Sequence, residues 1–164
     1  MSKKSDRFLI GSPLLLGDNT IPGLRLPDDL RELLPTIVKA CKDHGLDFYD
    51  TVVQMLTYDE MAEICSYDGF PVRFPHWKWG MEYEEFTRGY EYNMHRVYEI
   101  VINTYPCYIY CLDSNTLVDN VTVVAHAIGH NDFFKNNLYF KQTNHIMMNE
   151  LANHGSRIRR YMQG

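Results

Sequence analysis

Residues 115–137, NTLVDNVTVVAHAIGHNDFFKNN, can be read as a helix or as a strand, and the choice decides both the fold and the chemistry. The stretch opens with a helix cap and continues with helical spacing, although its Val and Thr content would also suit a strand. On a helix, His126 and His130 lie one turn apart on one face, and both imidazoles can reach a single atom about 2 Å from each nitrogen. On a strand they would stand about 13 Å apart, too far to share an ion. The helical reading is preferred, and it makes the pair half of a metal site.

The second half is offered by TNHIMMNELANHGSRIRRYM, residues 143–162, which reads as a helix with Leu151, Ile158 and the methionines on its buried side. Glu150 and His154 repeat the four-residue spacing there. Two antiparallel helices could thus present His126, His130 and His154 to one ion, with Glu150 as fourth ligand or base. Three neutral imidazoles suit zinc or iron, and an open fourth position is what a catalytic site needs. The pattern departs from the zinc peptidase motif HExxH, because Ala127 stands where the water-activating glutamate belongs. Asp132 or Glu150 would then have to act as base. Asp132 is also placed to accept a hydrogen bond from a ligating histidine. The competing reading makes the same residues a buried, hydrogen-bonded polar cluster without metal. In GHNDFFKNN, the Asn and Asp residues also suit a helix C-terminus with Phe133 and Phe134 tucked beneath it.

Other candidates are weaker. Glu91 and His95 share the spacing, with Glu99 one turn on, but the Glu-x-x-His pattern of di-iron bundles is absent, and an exposed salt-bridging helix face accounts for them. His44 sits at a helix end, where the dipole explains it. His76 and His145 have no evident partners.

With 164 residues, 45% hydrophobic and 13% aromatic, the chain suits one domain with a substantial core. A net charge of -5 and a pI near 5.8 argue against a general nucleic-acid binder. Arg157, Arg159 and Arg160 read as a solvated helix terminus. Cys41, Cys65, Cys107 and Cys111 contain no CxxC pair, so a reducing compartment fits, with Cys107 and Cys111 as buried small hydrophobes on one side of a strand. No apolar run is long enough to span a membrane, and the expected location is cytoplasmic.

Residues 1–27 are rich in Gly and Pro and suggest an extended N-terminal arm ahead of a domain over 28–164. A helix is expected from Asp28 to His44, where Leu30, Leu33, Leu34, Ile37, Val38 and Cys41 recur with helical spacing despite Pro35. DFYDTVVQML suits an extended segment or a second helix, and YDEMAEICSYDG a short helix. GFPVRFPHWKWGMEYEEF reads as an irregular loop packed by its own aromatics, with both tryptophans contributing and Trp77→Ala costing on the order of 3 kcal/mol. A helix from Met81 to Ile102, bent near Gly89, and a strand at CYIYCLD complete the outline. The expected fold is α+β, a mainly helical single domain with a small antiparallel sheet built around YIYCLD and DTVVQML.

Several of these stretches, among them PGLRLPDDL, GFPVRFPHW, HAIGHNDFFKNN and MMNELANHGSRIRRYM, resemble the N-terminal part of the stage V sporulation protein R family. The resemblance covers residues 20–162. Members of that family are considerably longer, so the chain looks like an N-terminal portion or a shortened member. It implies a cytoplasmic bacterial protein, associated in spore formers with assembly of the spore cortex. His126, His130, Asn131, Phe133, Phe134, Lys135, Asn136 and His154 fall in the matching segments; His95 and His145 do not. Two function classes follow as expectations: a metal-dependent hydrolase acting on peptide or cell-wall amide bonds, and a non-enzymatic regulatory or scaffold protein. The substrate or protein partner stays open.

Overall fold

A computed structural model describes residues 20–22, 26–70, 74, 76–91 and 99–164. Most of the N-terminal arm expected over residues 1–27 lies outside the described residues, as do His95 and parts of the aromatic stretch. In chain order the elements are β1 (Thr20–Pro22), α1 (Asp28–Asp43), β2 (Thr51–Leu56), α2 (Tyr58–Ser66), α3 (Trp77–Glu91), β3 (Glu99–Ile102), β4 (Cys107–Leu112), α4 (Leu117–Asn136), a 3-10 turn (Phe140–Gln142) and α5 (Met147–Gln163).

The four strands form one sheet in the order β1-β2-β4-β3. β1 and β4 run parallel to β2, and β3 runs antiparallel to β4. The α+β, mainly helical fold stands as expected. The sheet is mixed rather than antiparallel throughout, because β2 reaches β4 only after the chain has passed through α2, α3 and β3.

Alternation along β2 and β4 sends their side chains into two layers. Val53, Met55, Ile109 and Cys111 pack with Leu30, Leu34, Ile37 and Val38 of α1 and Val124, Ala127 and Ile128 of α4. Leu56, Tyr110 and Leu112 face the other way, onto Met61 and Ile64 of α2 and Ile102 of β3. Burial on both faces explains why TVVQML and CYIYCL read as continuous apolar runs instead of a polar-apolar alternation.

The helix boundaries follow local chemistry. In α1 the buried stripe matches the expected one, except that Leu33 is 37% exposed. Pro35 sits on the exposed side of the same helix, where water can satisfy the carbonyl one turn back. The helix ends where His44 Nδ1 meets the Ala40 carbonyl at 2.8 Å and Gly45 adopts φ +86°. α2 and α4 each begin with a capping box, Thr57 with Glu60 and Thr116 with Asp119. Thr116→Ala removes the hydroxyl that accepts from the Asp119 N–H and should cost about 1 kcal/mol, read as a lowered denaturation midpoint with an unchanged slope.

Two expectations need correction. The helix expected to run to Ile102 is described as far as Glu91, and Glu99–Ile102 is a strand. The aromatic stretch becomes helical at Trp77, and its two tryptophans part ways: Trp79 is 8% exposed and Trp77 is 72% exposed. Two positions apart on a helix is a rotation of about 200°, so both could not face the core.

Cys41, Cys107 and Cys111 are buried, and all four cysteines are free thiols. Burial pushes the Cys107 and Cys111 thiols up to about 12, with Glu99 adding to the effect at Cys111, and the Cys65 thiol up to about 11. These thiols stay protonated in the folded chain at pH 8, so a disulfide reagent should label them slowly until denaturant is added. Above about pH 9 the unfolded chain loses thiol protons that the folded chain keeps, so stability should fall as pH rises through that range.

Candidate metal centre

α4 carries two polar features on different faces. Val124, Ala127, Ile128 and Asn131 form its buried stripe. His126 and His130 lie on a flank open to solvent. Their Nε2 atoms are 2.9 Å apart, one ring nitrogen donating to the other, and the rings meet edge to face with centroids 4.4 Å apart. Two imidazoles sharing one tetrahedral ion at about 2.0–2.1 Å place their nitrogens roughly 3.3 Å apart, so a few tenths of an ångström separate this arrangement from a chelating one. His130 also stacks on Phe134 at 6.4 Å, and Phe134 leans on Phe140 of the 3-10 turn, which restricts the His130 ring.

β3 brings a carboxylate to the same place. Glu99 Oε1 lies 3.7 Å from His126 Nε2, and the Glu99 side chain is only 22% exposed. Sequence spacing puts Glu99 on a helix face with Glu91 and His95. It stands instead on an edge strand that pairs with β4, a non-local event that no local spacing announces.

Of the two buried asparagines on α4, Asn120 and Asn131, Asn131 is fully shielded from solvent. Its amide donates to the Tyr49 carbonyl at 3.0 Å and to Thr51 Oγ1 at 2.8 Å, and its oxygen accepts from the Tyr49 N–H at 3.2 Å. The next turn continues this lock on the segment before β2. Asp132 Oδ1 accepts from the Asp47 N–H at 2.8 Å, Asn136 Nδ2 donates to the Asp47 carbonyl at 2.8 Å, and Lys135 pairs with the Asp47 carboxylate. Asp132 therefore faces the α1–β2 loop, about 120° or more around the helix from both histidines. The role of Asp47 has no local signal in the sequence, since its partners lie more than 80 positions away.

α5 holds the remaining candidates. The ring of His154 meets Phe74 edge to face at 6.4 Å. Phe74 in turn contacts Trp79, which packs on Tyr67 just after α2. His154 thus sits with the α2–α3 layer, whereas His126 and His130 sit on α4 across the sheet. Arg159 reaches the same layer, lining a cleft of about 800 Å³ with Glu63, Tyr67, Phe74, Trp79 and Tyr83. Glu150 is exposed in the first turn of α5. Among the described residues, no group of three or more His, Cys, Asp or Glu side chains could hold a metal ion.

The chain is similar to the uncharacterized protein YcgB of Escherichia coli (strain K12), with 38% identity over 116 residues. That match covers 70% of this chain and only 23% of the relative. No solved structure matches the chain. The family model described as SpoVR like protein matches residues 25–164, which takes in every helix and all of the sheet except β1, and the chain belongs to that family.

Proposed function

We propose that the chain carries the metal centre of a hydrolase, in which His126 and His130 hold one zinc or iron ion. The observation that carries this reading is the pair itself: two imidazole nitrogens 2.9 Å apart on one turn of helix, in contact with solvent. A histidine pair serving only as core would be sealed, as Asn131 is. An ion bound here would lower the pKa of a water molecule toward neutrality and polarise a carbonyl. The chain's own share is to orient the imidazoles, through Phe134 and the rigid helix, and to keep positions open for water and substrate.

Of the two carboxylates considered as base, Asp132 has Oδ1 committed to the Asp47 backbone, so its part is to position α4. Glu150 is solvent-exposed and is kept as the candidate base. For His154 to act as third ligand, α5 would have to release it from Phe74 and bring it to the α4 side. The family's association with cortex assembly favours peptide or cell-wall amide bonds as substrate, handled in the cytoplasm. The regulatory or scaffold reading draws its support from the sealed Asn131 anchor, which needs no ion.

The deciding experiment is elemental analysis of protein prepared in metal-replete medium without chelator. The expected result is close to one equivalent of zinc or iron in the wild type and almost none in His126→Ala. Because the His126 side chain is 59% exposed, that variant should keep its melting temperature to within a few degrees. A wild-type protein without stoichiometric metal would sink the hydrolase reading in favour of the scaffold one.

A further inference from the structure

We infer that the cleft between α2, α3 and α5 is a binding site for a basic side chain, arginine or lysine, presented on a peptide. It is separate from the histidine pair, which lies on α4 across the sheet, and it does not depend on the metal reading.

Helical spacing builds two walls. On α2, Asp59 and Glu63 are one turn apart and both exposed, so their carboxylates share a face of the cleft. On α3, Trp79 and Tyr83 repeat that spacing along the aromatic side. Trp79 is buried and meets Phe74 and Tyr67 edge to face, at 5.5 and 6.0 Å, and its indole N–H donates to the Phe74 carbonyl at 2.9 Å. These contacts hold the aromatic wall in place before any ligand arrives, so little ordering is left for binding to impose. Arg159 lines the cleft from α5, and the volume of about 800 Å³ is within the range of sites for compact ligands.

Charge selects the occupant. Among the described lining residues, the carboxylates of Asp59, Glu60 and Glu63 outnumber the one guanidinium, that of Arg159. Glu60 is held in the α2 cap, where Oε2 accepts from the Thr57 N–H at 3.0 Å, which leaves Asp59 and Glu63 to meet a ligand. The Tyr67 phenol is pushed up from its usual range, first by burial and then by the charge of Glu63, so that charge is felt at the aromatic wall. A cation between the walls gains from ring faces and carboxylates together. Lys78 displays the attraction on a small scale: its Nζ stands 4.8 Å from the centroid of the Trp79 ring while pairing with Glu82 at 3.9 Å. An anionic ligand would meet repulsion from the same carboxylates. The guanidinium of Arg159 offers donors and no acceptor, which suits the carbonyl oxygens of a peptide backbone and favours a basic peptide over a bare inorganic cation.

The test uses Trp77→Phe, which removes the exposed one of the chain's two tryptophans and leaves Trp79 as the emitter. Its fluorescence is titrated with an acetylated, amidated peptide of one arginine among alanines, and with the citrulline counterpart, which has nearly the same shape and no charge. The arginine peptide should change the emission saturably, and the citrulline peptide should bind about 10-fold more weakly. Glu63→Gln and Asp59→Asn, both at exposed positions, should each weaken the arginine peptide about 3-fold and together about 10-fold. Glu84→Gln, at an exposed position of α3 outside the cleft lining, should leave the affinity unchanged. Equal binding of the two peptides, or no saturable response at millimolar concentration, would overturn the inference. So would a loss in Glu84→Gln as large as that in Glu63→Gln, which would mark the attraction as one of overall charge.

Discussion

Asn131→Ala should be among the most destabilising single substitutions in this chain, lowering folding free energy by about 3–5 kcal/mol in a denaturant titration. Asn131 is fully buried and satisfies the N–H and carbonyl of Tyr49 as well as the hydroxyl of Thr51, itself fully buried. Alanine removes all of these bonds at once, leaves the Tyr49 N–H without this partner and opens a void between α4 and the segment that enters β2. Asn131→Asp should be nearly as damaging, because a carboxylate can accept from the Tyr49 N–H yet has no proton to donate to the Tyr49 carbonyl. A midpoint shift equivalent to less than about 1 kcal/mol in either variant would contradict the anchoring role. By contrast, the neighbouring His130, exposed one position earlier, should tolerate alanine with little loss of stability.

Trp79→Ala should cost about 3–5 kcal/mol, and Trp77→Ala no more than about 0.5 kcal/mol. Trp79 is 8% exposed, donates its indole N–H to the Phe74 carbonyl at 2.9 Å and meets the rings of Tyr67 and Phe74 edge to face. Truncating it removes a large apolar area and takes the indole donor from the half-buried Phe74 carbonyl. Trp77, at 72% exposure, has little to lose. Paired thermal melts check the contrast. Equal losses from the two variants would mean that α3 turns a different face to the core.

Which features are legible in the sequence depends on how local their causes are. α1 is readable because Leu30, Leu34, Ile37, Val38 and Cys41 recur at helical spacing and the chain stops itself at His44 and Gly45. The His126–His130 face is readable for the same reason: the geometry of one helical turn suffices. β3 is not, because the charges of YEYNMHRVYE imitate a helix surface, and EIVI becomes a strand only by pairing with β4. Glu99 is hidden by the same event. For His154 the helix itself is legible, but spacing within one helix does not reveal which layer that helix joins; its contact with Phe74 is decided by tertiary packing. Of the tryptophans, composition predicts burial for the pair, and only the phase of α3 separates them.

The bonds between α4 and the segment before β2 also have a temporal meaning. Asn131, Asp132, Lys135 and Asn136 reach back 82 to 89 positions to Asp47 and Tyr49, and β2 pairs with a β4 that lies more than 50 positions along the chain. During synthesis, α1 and β2 emerge well before the elements that cover them. TVVQML, apolar on both faces, must wait exposed for that interval. Folding dominated by such distant pairings is slow, and it leaves an unpaired apolar strand available to neighbouring chains. Release from the ribosome before α4 is complete should therefore give an aggregating fragment, and early chaperone engagement should centre on residues 51–56.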